Sequence, residues 1–274
     1  MTVFGSYSLL GRLAFGGMSE VQLAERRDAP GRRFALKLLL PELCADPERV
    51  EQFRAEAELG SRFEHASVAR VVDRGEVDGR SFLATEYVSG LDLSRTTERL
   101  AAQGQRLPIA EVLAIVKSVA EALHYVHELG LVHHDVNPDN ILLSDDGQVK
   151  LIDFGVTRPA GPSNGLLLGK VAYAAPEQLE GKPVDRRADV FSLGVVLHEL
   201  LTGRRLFKRE TEPQTLLAVV EARIPPPSEL SPELPHALDA VVTRALRREP
   251  KERYSSAAEL GGALGAVTLP RAAW

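Results

Sequence analysis

A chain of 274 residues is long enough to bury a sizeable core within one domain. Its 33 basic and 38 acidic residues give a formal charge of −5, which argues against a general nucleic-acid binder. Cys44 is the single cysteine, so an internal disulfide is excluded. The sequence has no signal-peptide pattern and no apolar run near the roughly 20 residues of a membrane span. We therefore expect a cytoplasmic protein without a membrane anchor.

The first elements along the chain are strands around a glycine-rich turn. Gly16 and Gly17 lie in this turn, and glycine allows backbone N–H groups to approach phosphate oxygens closely. In the next strand, Phe34-Ala35-Leu36-Lys37, alternation places Ala35 and Lys37 on the same face. A lysine inside an apolar run is costly to bury alone, so we expect it to have a partner.

Further elements follow in both halves of the chain. Residues 51–59 are typical of a helix, and residues 68–73 and 81–87 are typical of strands around a polar turn at residues 76–79. Apolar residues recur at helical spacing from Pro108 to Leu129, with Gly130 as the stop signal. Residues 189–203 form an almost wholly apolar helix, which belongs in a core.

The stretch around which the chain is organised lies between the two long helices. Asp135 and Asn140 are five positions apart, and Pro138 between them favours a chain that turns back on itself. Residues 141–143 then leave as a strand, residues 145–148 form a hairpin turn, and residues 149–152 return, which should place Asp153 beside Asp135 and Asn140. Two carboxylates and a carboxamide are hard oxygen ligands, suited to Mg²⁺ and its phosphates.

These motifs, in this order, resemble the protein kinase catalytic domain, and in particular the eukaryotic-like serine/threonine kinases of bacteria. The resemblance runs from about Leu10 to about Leu260. It implies an α+β, two-lobed protein kinase fold: a small β-rich N-lobe with one regulatory helix at residues 1–88, and a larger, mostly helical C-lobe at residues 89–274. Together the two lobes would form one kinase domain.

The resemblance implies ATP as the phosphate donor. Lys37 would reach the α- and β-phosphates, and Glu56 would hold Lys37, with Glu58 as a nearby competitor for that role. The other positions implied for nucleotide binding are Leu13, Ala14, Gly16, Gly17, Val21, Ala35, Thr85, Glu86, Val88, Asp92 and Leu142.

The same resemblance implies the remaining roles. Asp135 would accept or orient the substrate hydroxyl, and Asn140 and Asp153 would hold Mg²⁺, with Mn²⁺ as an alternative ion. Asp189 would hold the catalytic-loop backbone, and Arg253 would pair with the glutamate of the Ala175-Pro176-Glu177 motif. The expected partners are protein substrates, and the input signal would come from a separate regulatory partner.

Several positions depart from the family pattern. Ala14 and Ser19 replace two of the three flap glycines. His134 replaces an arginine that in the family grips a phosphate on the activation segment. Because this segment has only Thr157 and Ser163 as hydroxyl residues before its end region, we expect that it need not be phosphorylated.

A further departure concerns charge at the reacting phosphate. Asn137 replaces a lysine two residues after the catalytic aspartate, and Lys170 occupies a position where the family usually has threonine. We therefore expect Lys170 to supply the positive charge that Asn137 lacks. A lysine in a solvated loop is the alternative interpretation.

Two other functions remain open from the sequence. A pseudokinase, which would bind nucleotide as a scaffold or regulator with little turnover, is favoured by the departures at Ala14, Ser19, His134 and Asn137. Retention of both metal-binding residues argues against it. A small-molecule phosphotransferase shares the H-x-D-x-x-x-x-N loop, but Glu177, Asp189 and Arg253 favour a protein kinase because they build a peptide-binding segment.

Overall fold

The computed structural model describes residues 2–154, 157–162 and 170–269. The chain divides into two compact units, Met1–Ser89 and Gly90–Trp274. This boundary lies one residue beyond the predicted division after residue 88. Among the described residues, no helix is both long and apolar enough to cross a membrane.

The N-terminal unit is an antiparallel sheet with one α-helix. The strand order across the sheet is β1-β2-β3-β4-β6-β5. Its elements are β1 (Thr2–Phe4), β2 (Tyr7–Phe15), β3 (Ser19–Arg26), β4 (Arg33–Leu39), α1 (Pro47–Gly60), β5 (Val71–Val77) and β6 (Arg80–Glu86).

The two faces of this sheet bury different sets of side chains. Phe34, Leu36 and Leu38 alternate along β4 and pack with Tyr7 and Phe82 in one apolar cluster. Ala35 and Lys37 point to the opposite face, as the alternation predicts. On the side of α1, Phe53 and Ala57 pack with Leu39 and Leu83 in a second cluster.

The last two strands of the sheet differ from the expected bounds. β5 begins at Val71, because Val68 is buried at a turn in which its N–H donates to His65 O at 3.1 Å. Only Asp78 and Gly79 form the connection to β6, and both have positive φ (49° and 77°). Positive φ at both central residues is the requirement of a tight hairpin turn, so the strand pairing extends through Glu76 and Val77.

The C-terminal unit is mostly helical. Its helices are α2 (Leu93–Ala102), α3 (Ile109–Glu128), α4 (Pro176–Leu179), α5 (Arg187–Thr202), α6 (Glu212–Glu221), α7 (Pro227–Leu230), α8 (Ala237–Ala245) and α9 (Ala257–Gly265). Its strands are β7 (Gly90–Asp92), β8 (Leu131–Val132), β9 (Ile141–Ser144), β10 (Val149–Leu151), β11 (Arg158–Pro159), β12 (Gly161–Pro162) and β13 (Pro183–Val184).

Two helices and one hairpin position the stretch around Asp135. α5 is buried along almost its whole length, as an all-round apolar helix requires, and it ends at Gly203 in the left-handed region (φ 65°). α3 leads directly into β8 and the loop at residues 133–140. The predicted hairpin is present, with β9 and β10 paired antiparallel around residues 145–148.

Candidate active site

The backbone before Asp135 is held by a buried carboxylate. Asp189, in the first turn of α5, accepts hydrogen bonds from the N–H groups of His133 at 2.8 Å and His134 at 2.9 Å. The ring of His127, at the end of α3, lies 2.8 Å from the same carboxylate. Burial raises the pKa of Asp189, but the hydrogen bond with His127 and the other histidines beside the carboxylate act in the opposite direction, and the pKa is lowered overall. The carboxylate therefore stays ionised and anchors the loop.

Two residues at this site have a left-handed backbone conformation. Among the described residues, four non-glycine residues have positive φ, and two of them are His134 (69°) and Asp153 (60°). Such conformations persist only where surrounding contacts determine them, and they are common at functional sites. The strain therefore marks the residues on either side of the hairpin.

Two carboxamides hold the Asp135 carboxylate. Asn137 donates to Oδ1 of Asp135 at 2.8 Å, and Asn140 donates to Oδ2 at 3.0 Å. Both amides also donate to the Asp135 carbonyl, at 3.1 and 2.8 Å. The Oδ1 atom of Asn137 accepts the N–H of Asp139 at 3.0 Å, so this buried side chain also starts the turn at residues 138–140.

The environment of Asp135 disfavours its charged form. Burial raises the pKa of Asp135, and the nearby negative charge of Asp153 raises it further. The charge of His133 and the hydrogen bonds from Lys170 and Asn137 act in the opposite direction without cancelling the rise. A carboxylate with a raised pKa is a stronger proton acceptor than an ordinary aspartate, which suits a base.

Lys170 lies against the catalytic loop, at the position where the sequence predicted a compensating charge. Its N–H donates to Oδ1 of Asp135 at 3.4 Å. Its ammonium forms an ion pair with Asp139, and both side chains are about half exposed (49% and 46%). The charge is therefore beside the loop, with a carboxylate as its partner.

The predicted metal ligands lie on one hairpin. Ile152 donates its N–H to Asn140 O at 2.9 Å, so Asp153 follows directly from a residue bonded to Asn140. Among the described residues, no group of three or more histidine, cysteine or acidic side chains could hold a metal ion. An amide oxygen and a carboxylate nevertheless fit Mg²⁺, which usually takes one or two protein ligands and completes its shell with water and substrate phosphates.

The predicted lysine–glutamate pair is formed in the N-terminal unit. Lys37 Nζ lies 2.6 Å from Glu56 Oε1, and the two side chains are 18% and 10% exposed. Glu58 pairs instead with Arg62 at 2.8 Å, on the exposed side of α1. Among the described residues, Glu56 is thus the acidic partner, and the competitor is engaged elsewhere.

Strand register gathers several predicted nucleotide residues on the same face as Lys37. Val21 lies opposite both Lys37 and Ala14, and Ala35 lies opposite Thr85. Directly opposite residues in an antiparallel pair project to the same side. Leu13 occupies the bulge between the Arg12 and Ala14 pairings, and Gly16 closes the flap turn through its N–H to Ser19 O at 2.9 Å.

The remaining predicted nucleotide positions lie before and after Ser89 in the sequence, where the first unit ends. The N–H of Glu86 donates to Arg70 O at 2.9 Å, and Glu86 lies opposite Phe34 in the β4–β6 ladder, so the roles of Glu86 and Val88 in binding the base stay predictions. In the C-terminal unit, Asp92 lies opposite Leu142 in the β7–β9 ladder. Asp92 also caps α2, because its carboxylate accepts the N–H of Arg95 at 2.7 Å.

The Ala175-Pro176-Glu177 motif is anchored by a buried ion pair. Arg253 contacts the two oxygens of Glu177 at 2.6 and 2.7 Å. Its three other N–H groups donate to the carbonyls of Arg247, Arg187 and Arg248 at 2.7 to 3.0 Å. All five donors of the guanidinium are satisfied, and the predicted clamp is formed.

The described part of the activation segment is held by backbone pairing. β11 pairs with β8, and β12 pairs with β13. The Thr157 hydroxyl is buried, and it has no hydrogen-bond partner in the part of the chain that the structure describes. Ser163, the other predicted hydroxyl, lies outside the described residues.

Three contacts around Asp135 were not predicted from the sequence. His127 binds Asp189, Asp139 pairs with Lys170, and Gln178 donates to the carbonyl of His134 at 3.1 Å. His127 was detectable as a polar residue on the buried face of α3. The other two contacts join residues 31 and 44 positions apart, and no local pattern indicates them.

Comparison with known proteins places these features in a family. Residues 7–261 match the family model described as protein kinase domain. The kinase domain of PknI from Mycobacterium tuberculosis, known from a crystal structure, is 35% identical, with a TM-score of 0.74 over 96% of this chain and 97% of that one. The predicted resemblance and the predicted kinase fold are confirmed.

Curated relatives agree on the family and differ in their named acceptor. The tyrosine-protein kinase MasK of Myxococcus xanthus is 39% identical over 95% of this chain and 43% of its own length. The probable serine/threonine-protein kinase PknB of Corynebacterium glutamicum is 36% identical over 96% and 42%. The serine/threonine-protein kinase PknJ of M. tuberculosis is 36% identical over 97% and 46%. The chain thus spans less than half the length of these relatives.

Proposed function

This chain belongs to the protein kinase domain family, and we propose that it transfers the γ-phosphate of ATP to serine or threonine hydroxyls of proteins. The observation that carries the proposal is the Asp135 carboxylate, which two carboxamides hold at 2.8 and 3.0 Å on a loop anchored by Asp189. Phosphoryl transfer depends mainly on positioning and charge neutralisation, and this loop supplies the first of these.

Asp135 would act on the attacking hydroxyl. The hydroxyl oxygen forms a bond to the γ-phosphorus while the bond from that phosphorus to the departing ADP oxygen breaks, and the hydroxyl proton passes to the Asp135 carboxylate. The raised pKa of Asp135 supports this role because it strengthens the carboxylate as a proton acceptor.

Lys37 would position the nucleotide phosphates, and Glu56 would hold Lys37. The hydrogen-bonded pair at 2.6 Å supports this pairing because it fixes a lysine in an otherwise apolar strand. The face of the sheet that carries Ala14, Val21, Ala35 and Thr85 offers small or apolar side chains to a flat base.

Asn140 and Asp153 would hold Mg²⁺, or Mn²⁺ in its place. When bound, the ion supplies positive charge that neutralises the phosphate oxygens. The residues of the chain contribute the positioning: Asn140 uses its amide nitrogen on Asp135, which directs its amide oxygen away from that carboxylate.

Lys170 would supply the charge that Asn137 lacks. Its backbone lies 3.4 Å from the Asp135 carboxylate, and its ammonium pairs with an exposed carboxylate that a phosphate group can replace. Asn137 would act as the residue that shapes the loop, since its amide joins Asp135 to the turn that follows.

The activation segment would work without phosphorylation. The β11–β8 and β12–β13 pairings and the buried Thr157 hydroxyl support this, because the described part of the segment is held by backbone contacts. We expect phosphatase treatment of the purified protein to leave its activity intact. A large loss of activity after treatment would contradict this part of the proposal.

Serine and threonine are the proposed acceptors because PknB and PknJ are named serine/threonine kinases. The name of MasK makes tyrosine the acceptor to test against. The protein substrate, the regulatory partner and the cytoplasmic location remain predictions, since the chain covers only part of each relative.

The test is phosphate transfer from radiolabelled ATP with Mg²⁺, to the chain itself and to a generic basic protein, followed by phosphoamino-acid analysis. Asp153→Asn is the control. We expect label on serine or threonine that is absent with the variant; label on tyrosine would correct the acceptor. Absence of label, with a rise in melting temperature that depends on Mg²⁺ and ATP, would favour the pseudokinase instead.

A further inference from the structure

Gln178 links the Ala175-Pro176-Glu177 turn to the residue before the catalytic aspartate. Its Oε1 atom accepts the N–H of Ala175 at 2.8 Å, and its Nε2 group donates to His134 O at 3.1 Å. The side chain is 7% exposed. The link therefore joins two parts of the chain that are 44 residues apart.

The neighbours determine the orientation of this amide. The Ala175 N–H group is a donor, so it must face the oxygen of the carboxamide; His134 O is an acceptor, so it must face the nitrogen. The opposite orientation would set donor against donor and acceptor against acceptor. The glutamine carboxamide satisfies both contacts at once.

The contacted carbonyl belongs to the peptide that leads into Asp135. His134 has φ 69°, a left-handed conformation that is unfavourable for a non-glycine residue. Asp189 accepts its N–H and Gln178 donates to its carbonyl, while the N–H of Asp135 lies 3.3 Å from the His133 ring. These contacts hold both sides of the peptide between His134 and Asp135.

The other end of the link is rigid. Glu177, the residue before Gln178, is fixed by Arg253 through two hydrogen bonds and is 4% exposed. Without the contact from Gln178, the His134 carbonyl would lose its donor from this anchored turn. The peptide could then rotate toward the unstrained right-handed region, and Asp135 would turn with it.

We propose that Gln178 is a positioning residue for phosphoryl transfer: its amide keeps His134 in the left-handed conformation and so orients Asp135 from the anchored turn. This inference rests on the proposed kinase function. It adds a residue whose effect passes through the backbone of the catalytic loop and not through contact with the reacting groups.

The test variant is Gln178→Glu. It keeps an oxygen for Ala175 N–H but replaces the donor to His134 O with a second oxygen, so it removes the contact of interest at nearly constant side-chain size. Loss of such a buried bond lowers kcat by roughly tenfold to 100-fold if Asp135 turns away. The KM for ATP should stay unchanged, because the nucleotide positions lie elsewhere.

Gln214→Glu is the matched control. Gln214 holds the equivalent place in the first turn of α6, where its Oε1 accepts Thr211 N–H at 3.3 Å. Its amide nitrogen has no hydrogen-bond partner in the part of the chain that the structure describes. The control should therefore keep the wild-type kcat.

The pH dependence separates positioning from general loss of structure. Burial and the facing carbonyl oxygen raise the pKa of the introduced carboxyl, and its protonated form regains a donor for His134 O. His134, Asp135 and Glu177 are the charged or titratable neighbours on the two linked segments. They are the same in the wild type, so their own titration cancels when the two proteins are compared at equal pH. The ratio of variant to wild-type kcat at equal pH should rise as the pH falls.

Hydrogen exchange provides a readout that does not need activity. Amides of residues 133–140 should exchange faster in Gln178→Glu than in the wild type, while those of α5 stay unchanged. Unchanged exchange there, or a kcat equal to that of wild type, would overturn the inference. A wild type that transfers no phosphate would contradict the proposed function alone, and exchange would then decide the role of Gln178.

Discussion

Two ion pairs at the ends of the described segment from Lys170 to Glu177 differ in burial. Arg253 and Glu177 are 0% and 5% exposed in their side chains, and the arginine also binds three backbone carbonyls. Lys170 and Asp139 are 49% and 46% exposed, and among the described residues the lysine ammonium has this one partner.

The difference shows which pair can take part in a reaction. A buried pair with all donors satisfied cannot change partners without leaving a charge in a region of low dielectric. An exposed pair contributes little to stability, because water screens both charges. The first pair is therefore a structural clamp, whereas the second leaves the Lys170 charge exposed, as its proposed role requires.

The largest expected effect comes from breaking the buried pair. Arg253→Met should lower the free energy of unfolding by about 3–5 kcal/mol, because it leaves the Glu177 carboxylate buried without a partner. Equilibrium urea denaturation at pH 7 measures the change.

The double variant Arg253→Met with Glu177→Leu is the control. It removes the stranded carboxylate, so it should recover part of the lost free energy of unfolding. A loss below about 1 kcal/mol in the single variant would mean that the buried pair is no stronger than an exposed one.

The next largest effect should appear in catalysis and not in stability. Lys170→Ala should lower kcat by about two to three orders of magnitude, since a fixed charge at a transition state is worth a few kcal/mol. Its free energy of unfolding should change by less than about 1 kcal/mol, and ATP binding should persist. Steady-state kinetics measures kcat, urea denaturation measures the free energy of unfolding, and nucleotide titration by thermal shift measures ATP binding.

Lys170→Arg and Lys170→Met separate charge from length in this prediction. The arginine variant keeps the positive charge and should retain part of the rate, whereas the methionine variant should resemble the alanine variant. A methionine variant with most of the wild-type kcat would show that Lys170 is only a solvated lysine.

The smallest effect is expected from the partner of Lys170. Asp139→Asn removes the carboxylate but keeps the backbone N–H that binds Asn137, so the turn should persist. We expect kcat within about fivefold of wild type, the factor that corresponds to an exposed pair. A loss as large as that of Lys170→Ala would show that Asp139 has a direct role in the reaction.

Much of the fold follows from local patterns in the sequence. Alternation in β4 correctly separates Phe34 and Leu36 from Lys37, and the all-round apolar run of α5 correctly predicts a buried helix. The start of β5 was misplaced because Val68 and Val71 are equally typical of strands. Which of them begins the continuous strand depends on the turn that starts at His65, and single-residue preferences do not describe that turn.

The candidate site was predicted in its residues but only partly in its contacts. The Lys37–Glu56 and Arg253–Glu177 pairs and the hairpin that carries Asn140 and Asp153 agree with the sequence. The sequence does not predict the partner of Lys170, because its local pattern marks Asp139 only as a polar residue in a turn. Gln178 follows the Ala175-Pro176-Glu177 motif in the sequence, and its contact with the His134 carbonyl, 44 residues away, has no local pattern that predicts it.

The sequence by itself determined the family, the elements and the types of side chain that chemistry requires, because these depend on spacing and local preference. The tertiary structure alone decided that His134 lies in the left-handed region, that Lys170 is paired, and that Gln178 reaches the carbonyl before Asp135. The reason is physical. Each of these features depends on groups that are distant in the chain, and their hydrogen bonds form only when α3, α5 and the segment at Lys170 to Leu179 pack around one loop.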